Sequence, residues 1–348
     1  LGSEETITSI SLGNSHTSAL TSLGRVFTWG LNTYGQLGDV TLINKSTPKD
    51  ITALFGLGLD EKIVNISLNG DFSSALSSTG RIFTWGRNNY YQLGDGTSVN
   101  RNRPTNITSK FTLELGETIT NISLGGNHSA VLTSQGRVLT WGWNAYGQLG
   151  DTTLSNKNKP TEITTRFNLS EDEVVKHISL GGSHSAAITS LNRVFIWGLN
   201  SSGQLGDGTT ANRNRPTDIT SKFELSEEEY IKNIALGNLY TSAFTSSGRV
   251  FTWGSNTFGQ LGDASTIQKT LPIDITLTFD FYEDEFVRMI ALGSYHSSIL
   301  TSTNRLFAWG KNLNSQLGDQ STIDRHIPIE VQTKYPDLSI TETEEDGD

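Results

Sequence analysis

Six tryptophans stand at Trp29, Trp85, Trp141, Trp197, Trp253 and Trp309, each 56 residues after the last. Each is followed by glycine. Six residues beyond that glycine comes a Gln-Leu-Gly-Asp turn, as in Gln36–Asp39 and Gln316–Asp319. A period kept without insertion or deletion describes an array of one supersecondary unit, whose copies bury their apolar faces against one another. Two ordinary domains, which 348 residues alone would suggest, are set aside by that period.

Each unit reads as four short strands, expected in the second unit near 63–68, 73–77, 81–86 and 104–108. Short apolar or alternating runs bounded by Gly, Ser, Thr and Asn carry the strand signal. The link before Arg81 offers Gly80 for positive φ, so the second and third strands form a hairpin. Pro104 at the head of the fourth strand suits an edge, where no ladder donor is needed. No stretch has a helical period. The expected fold is all-β: a β-propeller of four-stranded antiparallel blades, six favoured and seven the alternative. A solenoid fits the four-strand meander less well. Residues 1–340 make the propeller, and 341–348 an acidic tail expected to be disordered.

The two ends share a phase. Residues 1–10 match 225–234, and 331–335 match 219–223. Ile7 to Leu12 are therefore expected to pair in one blade with Pro328 to Lys334, closing the ring without exposed sheet edges. All six periodic tryptophans are expected between blades.

The chain carries charge −10 and no cysteine, which excludes disulfides and thiolate metal sites. The acidic balance makes nucleic acid an unlikely partner. No apolar run approaches the ~20 residues of a membrane-spanning helix. Gly56-Leu57-Gly58 lacks a phosphate-loop lysine and no Gly-x-Ser-x-Gly elbow occurs, so no cofactor and no catalytic residue are expected. The chain opens on Leu1 with no signal peptide, and an upstream segment is expected to have been removed. Compartment stays open between a bacterial exterior, weakly favoured, and the cytosol.

The run Gly125 to Asp151 resembles the regulator of chromosome condensation repeat, and the resemblance extends over nearly the whole chain. It implies a propeller, with seven blades as the norm. Family members include a guanine nucleotide exchange factor, a plant ultraviolet-B receptor, ubiquitin-ligase domains and a secreted β-lactamase inhibitor. The exchange factor uses an inserted hairpin, and the light receptor carries tryptophans in its Gly-x-x-His loops. Here no insertion breaks the period, and the loops at Gly13–His16, Asn69–Phe72 and Gly125–His128 hold no tryptophan.

Strand directions put the Gly-x-x-His and Trp-Gly-x-Asn loops on one face, here the first face. The blade-to-blade linkers and hairpin turns lie on the second. Excursions after the Gln-Leu-Gly-Asp turn bring Lys45, Arg101, Arg103, Lys157, Lys159, Arg213, Arg215, Lys269 and Arg325 to the first face, which is expected to be basic. Arg81, Arg137, Arg193 and Arg249 of the hairpins are expected to meet linker carboxylates on the second face.

His16, His128, His184 and His296 recur, but Phe72 and Tyr240 take the same place in other units, so packing is expected rather than metal ligation. Asp39 and its five periodic copies are expected to shape turns. Recurring sequons such as Asn106-Ile107-Thr108 would matter only in a eukaryotic secretory route. Binding is sought where the repeat varies: Asp71, Phe72, Arg87, Asn127, Trp143, Leu239, Tyr240, Tyr295 and Lys311. The expected function is a non-enzymatic scaffold whose first face takes a protein partner with an acidic surface. The alternatives are an exchange factor for a small GTPase and, less favoured, an enzyme with a central-channel site.

Overall fold

A tryptophan indole needs both an apolar bed and an acceptor for its N–H, and the repeat supplies both across each blade boundary. In the computed structural model, which describes residues 2–331, six four-stranded antiparallel sheets form a six-bladed β-propeller. Blade 1 comprises Ile7–Leu12, His16–Thr21, Val26–Gly30 and Lys45–Asp50. The others follow at the same period. Strand four begins earlier than expected, at Arg101 in blade 2, with Pro104 in its middle. Its outer edge is free, so the missing N–H is tolerated there. A 3-10 turn follows, as at Thr108–Lys110, which the strand pattern did not announce.

Five seams between blades are built alike. Trp85 Nε1 donates to the Gln36 carbonyl at 3.0 Å. Trp141, Trp197, Trp253 and Trp309 donate at 2.9 Å to Gln92, Gln148, Gln204 and Gln260 of the blade before. A phenylalanine from the 3-10 turn caps each indole edge-on, as Phe167 does Trp197 at 5.5 Å. The turn glycine is required here: Gly38 has φ +70°, and a Cβ on it would stand 2.7 Å from Trp85 Nε1. Around these contacts lie clusters such as Ile188, Val194, Ile219, Phe223 and Ile234 with Trp253.

On the second face each hairpin arginine clips its own blade. Arg137 meets Glu117 and Glu162 at 2.6 Å each, and Arg305 meets Glu285 and Glu330 at 2.7 and 2.8 Å. Arg193 and Arg249 pair in the same way, as expected. The outer carboxylates sit on strand four, where the linker charges gave no hint of them. In blade 2 that place is Asn106, and Arg81 pairs with Glu61 alone. Arg81 holds the Glu61 carboxyl well below the usual carboxylate range, against the opposing effect of burial.

The expected permutation of the ends is corrected. Ile7–Leu12 pairs with the strand that follows it, and Arg325–Glu330 with Leu306–Gly310 of blade 6. Each blade is one continuous stretch, because local antiparallel pairing satisfies strand one without a distant partner. Lys334 and the tail 341–348 lie outside the described residues. Among the described residues no hydrogen bond, ion pair or core cluster joins blade 6 to blade 1 as one joins the blades at the other five boundaries, so the expected closure of the ring is not seen there. Ile10 and Leu12 are 63% and 67% exposed, whereas Ile66 and Leu68 are each 6% exposed. In blade 6 Leu300 and Leu306 are half-buried. Among the described residues Trp29 finds no Gln carbonyl, and it is half-buried instead of buried like the other five. The expectation for Trp29 is corrected accordingly.

Replacing Trp197 by Ala removes a buried indole and orphans a carbonyl, and should cost about 3–5 kcal/mol. Trp29→Ala should cost at least about 2 kcal/mol less, since its ring is already part-solvated. Urea denaturation of the two variants checks this. Equal losses would mean that Trp29 is as fully packed in solution as the other five tryptophans.

Candidate protein-binding face

Six loops of the Gly-x-x-His type ring one mouth of a central channel of about 810 Å³, lined by groups such as Asn14, Asn69, Asp71, Asn127, Asn238 and His296. Beside each loop stands the residue after Trp-Gly. Its backbone N–H donates to the carbonyl of the residue before the histidine position: Arg87 to Asp71, Trp143 to Asn127, Ser255 to Leu239 and Lys311 to Tyr295, at 2.9–3.0 Å. The fixed hydrogen bond brings together three pairs of the residues singled out in the sequence and sets Leu239 beside Ser255. Asp71 and Arg87 also form an ion pair at 3.2 Å.

Phe72 and Tyr240 do not belong to that surface. Both are fully buried, because strand two begins at that position and points its side chain into the seam. Phe72 joins the blade 2–3 core, and Tyr240 donates from its hydroxyl to the His296 carbonyl at 2.5 Å. Trp143 is half-buried, 5.6 Å from Tyr90 and edge-on to Tyr146 at 5.1 Å.

Further aromatics belong to the face. Tyr34, Tyr90, Tyr146 and Phe258 stand five residues after the periodic tryptophans. Tyr34, Tyr90 and Phe258 reach residues of the next blade, whereas Tyr146 lies against Trp143 of its own. Arg87 lies over Tyr34 at 4.9 Å, and Lys311 lies over Phe258 at 4.8 Å and Tyr295 at 5.2 Å. Their recurrence at the 56-residue period was visible in the sequence, and so was the break at Ser202 and Asn314.

The expected basic first face is corrected in most of its members. Lys45, Arg101, Lys157, Arg213, Lys269 and Arg325 pair with Asp39, Asp95, Asp151, Asp207, Asp263 and Asp319. The other oxygen of each aspartate accepts from its own turn, as Asp39 does from Thr41 and Asn32. Turn geometry, the role expected of these aspartates, thus also neutralises the cation six residues on. Among the described residues no group of three or more His, Asp or Glu is placed to hold a metal. No helix there is long and apolar enough to cross a membrane.

Fold and face define a repeat β-propeller whose variable residues are gathered at one channel mouth. The chain belongs to the RCC1-like domain family, whose model matches residues 1–343. It is 30% identical over 323 residues to the ultraviolet-B receptor UVR8 of Arabidopsis thaliana, covering 92% of this chain and 69% of that protein. Human WBSCR16 superposes with TM-score 0.81 at 24% identity, over 96% of this chain and 83% of that one. Prp20p of Saccharomyces cerevisiae, described with its binding properties to Gsp1p and histones, superposes with TM-score 0.78 at 25% identity, over 94% and 77%.

The histidines behind the mouth are structural, as expected. His16, His128 and His184 are buried, with Nε2 2.9 Å from Ser73, Ser185 and Thr241 of the next blade. Those hydroxyls donate onward to the seam carbonyls, as Ser73 does to Gln36 and Ser185 to Gln148. Each Nε2 must therefore carry the proton, which leaves Nδ1 bare and without a partner. Protonating Nδ1 would bury an unpaired cation, and burial lowers His128 from 6.5 to about 3. The unfolded chain gains a proton below pH 6.5 that the folded chain refuses until about pH 3. Stability is thus full above pH 6.5 and falls as pH drops through that window. His128→Phe, which installs the residue that blade 2 already carries at Phe72, should lose about 1 kcal/mol at neutral pH. It should then decline less steeply in acid than the parent, by about 1.4 kcal/mol per pH unit. Urea midpoints across the window check the crossing of the two curves.

Proposed function

We propose that the chain is a non-enzymatic scaffold that recognises a protein partner on its first face. One observation carries this reading. Residues identical across the repeat are engaged within the fold: Trp of blades 2 to 6 with a Gln carbonyl, Asp with its turn and a cation, Arg with linker carboxylates. The residues that differ from blade to blade are held in adjacent pairs around one mouth, half-exposed. A rigid frame presenting varied aromatic and charged side chains suits interface anchors, which need little ordering on binding. Support also comes from Prp20p, described as binding Gsp1p and histones.

Arg87 and Tyr295 stand on different blades, 2 and 6. Arg87→Glu and Tyr295→Ala should each weaken a partner captured from the native source by about tenfold or more, without lowering the melting temperature. Leu115→Asp on the second face, where Leu115 is fully exposed, should leave capture unchanged. Loss of binding in Leu115→Asp, with both first-face variants normal, would overturn the assignment.

A further inference from the structure

A row of side chains in mutual contact runs unbroken over three blades of the first face. Arg87 lies over Tyr34 at 4.9 Å and over Tyr90 at 6.0 Å. Tyr90 stands 5.6 Å from Trp143, and Trp143 stands 5.1 Å from Tyr146. The row thus passes from blade 1 through blade 2 to blade 3, and each member is half-buried. It stops at blade 4, where Leu199 and Ser202 take the places of Trp143 and Tyr146. The fold does not need these rings. Blade 4 closes the same turn and builds the same seam with neither of them.

Two properties decide what the row can hold. The first is charge. Its one cation, Arg87, is paired with Asp71 at 3.2 Å, so the row is neutral. The second is hydrogen-bond polarity. Among the described residues the indole N–H of Trp143 and the hydroxyls of Tyr34, Tyr90 and Tyr146 have no acceptor, although the backbone N–H of each tyrosine is engaged in its own turn. Arg87 uses Nε and Nη1 within the chain, on Asn89 and Asp71, and leaves the donors of Nη2 over. Aromatic bodies that carry free polar tips at a half-buried surface suit an interface, where an outside acceptor completes them.

We infer that the row formed by Tyr34, Arg87, Tyr90, Trp143 and Tyr146 holds a proline-rich segment of the protein partner in the polyproline II conformation. This rests on the proposed first-face scaffold and gives the partner its chemistry. Proline has no N–H, so such a segment offers carbonyl acceptors and almost no donors. A row of free donors is its complement. The proline rings are rigid apolar bodies that seat between aromatic side chains, and the conformation is set before binding, so little order is lost. Two residues of that helix advance about 6 Å, close to the 4.9–6.0 Å steps of the row. Other occupants fit less well. Sugar hydroxyls donate as well as accept and need acceptors beside the rings, where Asp71 is already engaged. Single-stranded nucleic acid stacks on aromatic rings but requires unpaired cations along its backbone, and an acidic peptide requires them too.

The probe is fluorescein-labelled deca-proline, followed by anisotropy against the whole chain. Labelled chitohexaose and labelled oligo(dT) run in parallel. Deca-proline should bind with little dependence on salt, because the contact is neutral on both sides. Unlabelled deca-proline should change the tryptophan fluorescence, and Trp143→Phe should abolish that change. Combined Tyr34→Phe, Tyr90→Phe and Tyr146→Phe removes three donors and keeps the rings. It should lower the affinity by at least about tenfold and leave the melting temperature unchanged, since those hydroxyls have no partner in the fold. No binding of deca-proline, unchanged affinity in the triple variant, or tighter binding of chitohexaose or oligo(dT) than of deca-proline would each overturn the inference. The two readings fail separately. No binding of deca-proline, while Arg87→Glu still loses the captured partner, removes the proline-rich ligand and leaves the face. Binding of deca-proline in the expected pattern, with Arg87→Glu and Tyr295→Ala still capturing the partner, leaves the row and removes the wider face.

Discussion

The seam carbonyl of the Gln-Leu-Gly turn is the contact on which the propeller depends. Gln148 offers one oxygen to two donors of the next blade, Trp197 Nε1 and Ser185 Oγ, both at 2.9 Å and both buried. A buried acceptor that loses its partners costs more than an ordinary hydrogen bond contributes. That asymmetry fixes the relative position of neighbouring blades. It also dictates the motif. The turn glycine must leave room for the indole, and Asp151 must close the turn through Thr153. The serine must stand at the start of strand two, where it also takes the His128 N–H. One interaction thus imposes four residue types at fixed spacing, and the 56-residue period is its trace in the sequence.

This explains which parts of the molecule were legible in advance. Trp85, Gly38, Asp39 and Arg81 answer to contacts that repeat, so their recurrence revealed strands, turns and faces. What depends on the partner of a contact was less visible. Nothing in the linkers indicated that Glu162 or Asp274 on strand four would complete the arginine clip. Phe72 and Tyr240 looked like variable loop residues because they vary. They vary as packing residues do, filling the space of a histidine ring inside the seam. Lys45 and Arg101 looked free because their aspartates seemed fully engaged in turns. A carboxylate has two oxygens, and the second holds the cation.

The ends were misjudged for a related reason. Matching phase shows which residues are equivalent, and it does not show which residues touch. Antiparallel neighbours in sequence pair at least loop cost, so Ile7–Leu12 joins the strand that follows. The blades are also unevenly packed. Five seams bury isoleucine, leucine and tryptophan, while in blade 1 Ile10 and Leu12 face solvent and Trp29 is half-buried. Apolar exposure on this scale leaves blades 1 and 6 less firmly buried than blades 2 to 5.

The same division between repeated and unrepeated residues organises the electrostatics. A chain of charge −10 should repel acidic partners at long range. Pairing changes that at close range. Cations at the six excursion turns and the six hairpins are matched by carboxylates a few ångströms away, and such pairs contribute little field beyond a Debye length. The field near the first face is then set by the minority left over: Lys311 on its aromatic bed, and Arg103, Lys159 and Arg215 along three blades. Repetition neutralises most of the surface, so a single unrepeated substitution stands out against it. Binding specificity in such a fold comes from where the repeat is broken, and the frame that the repeat builds holds those breaks in register.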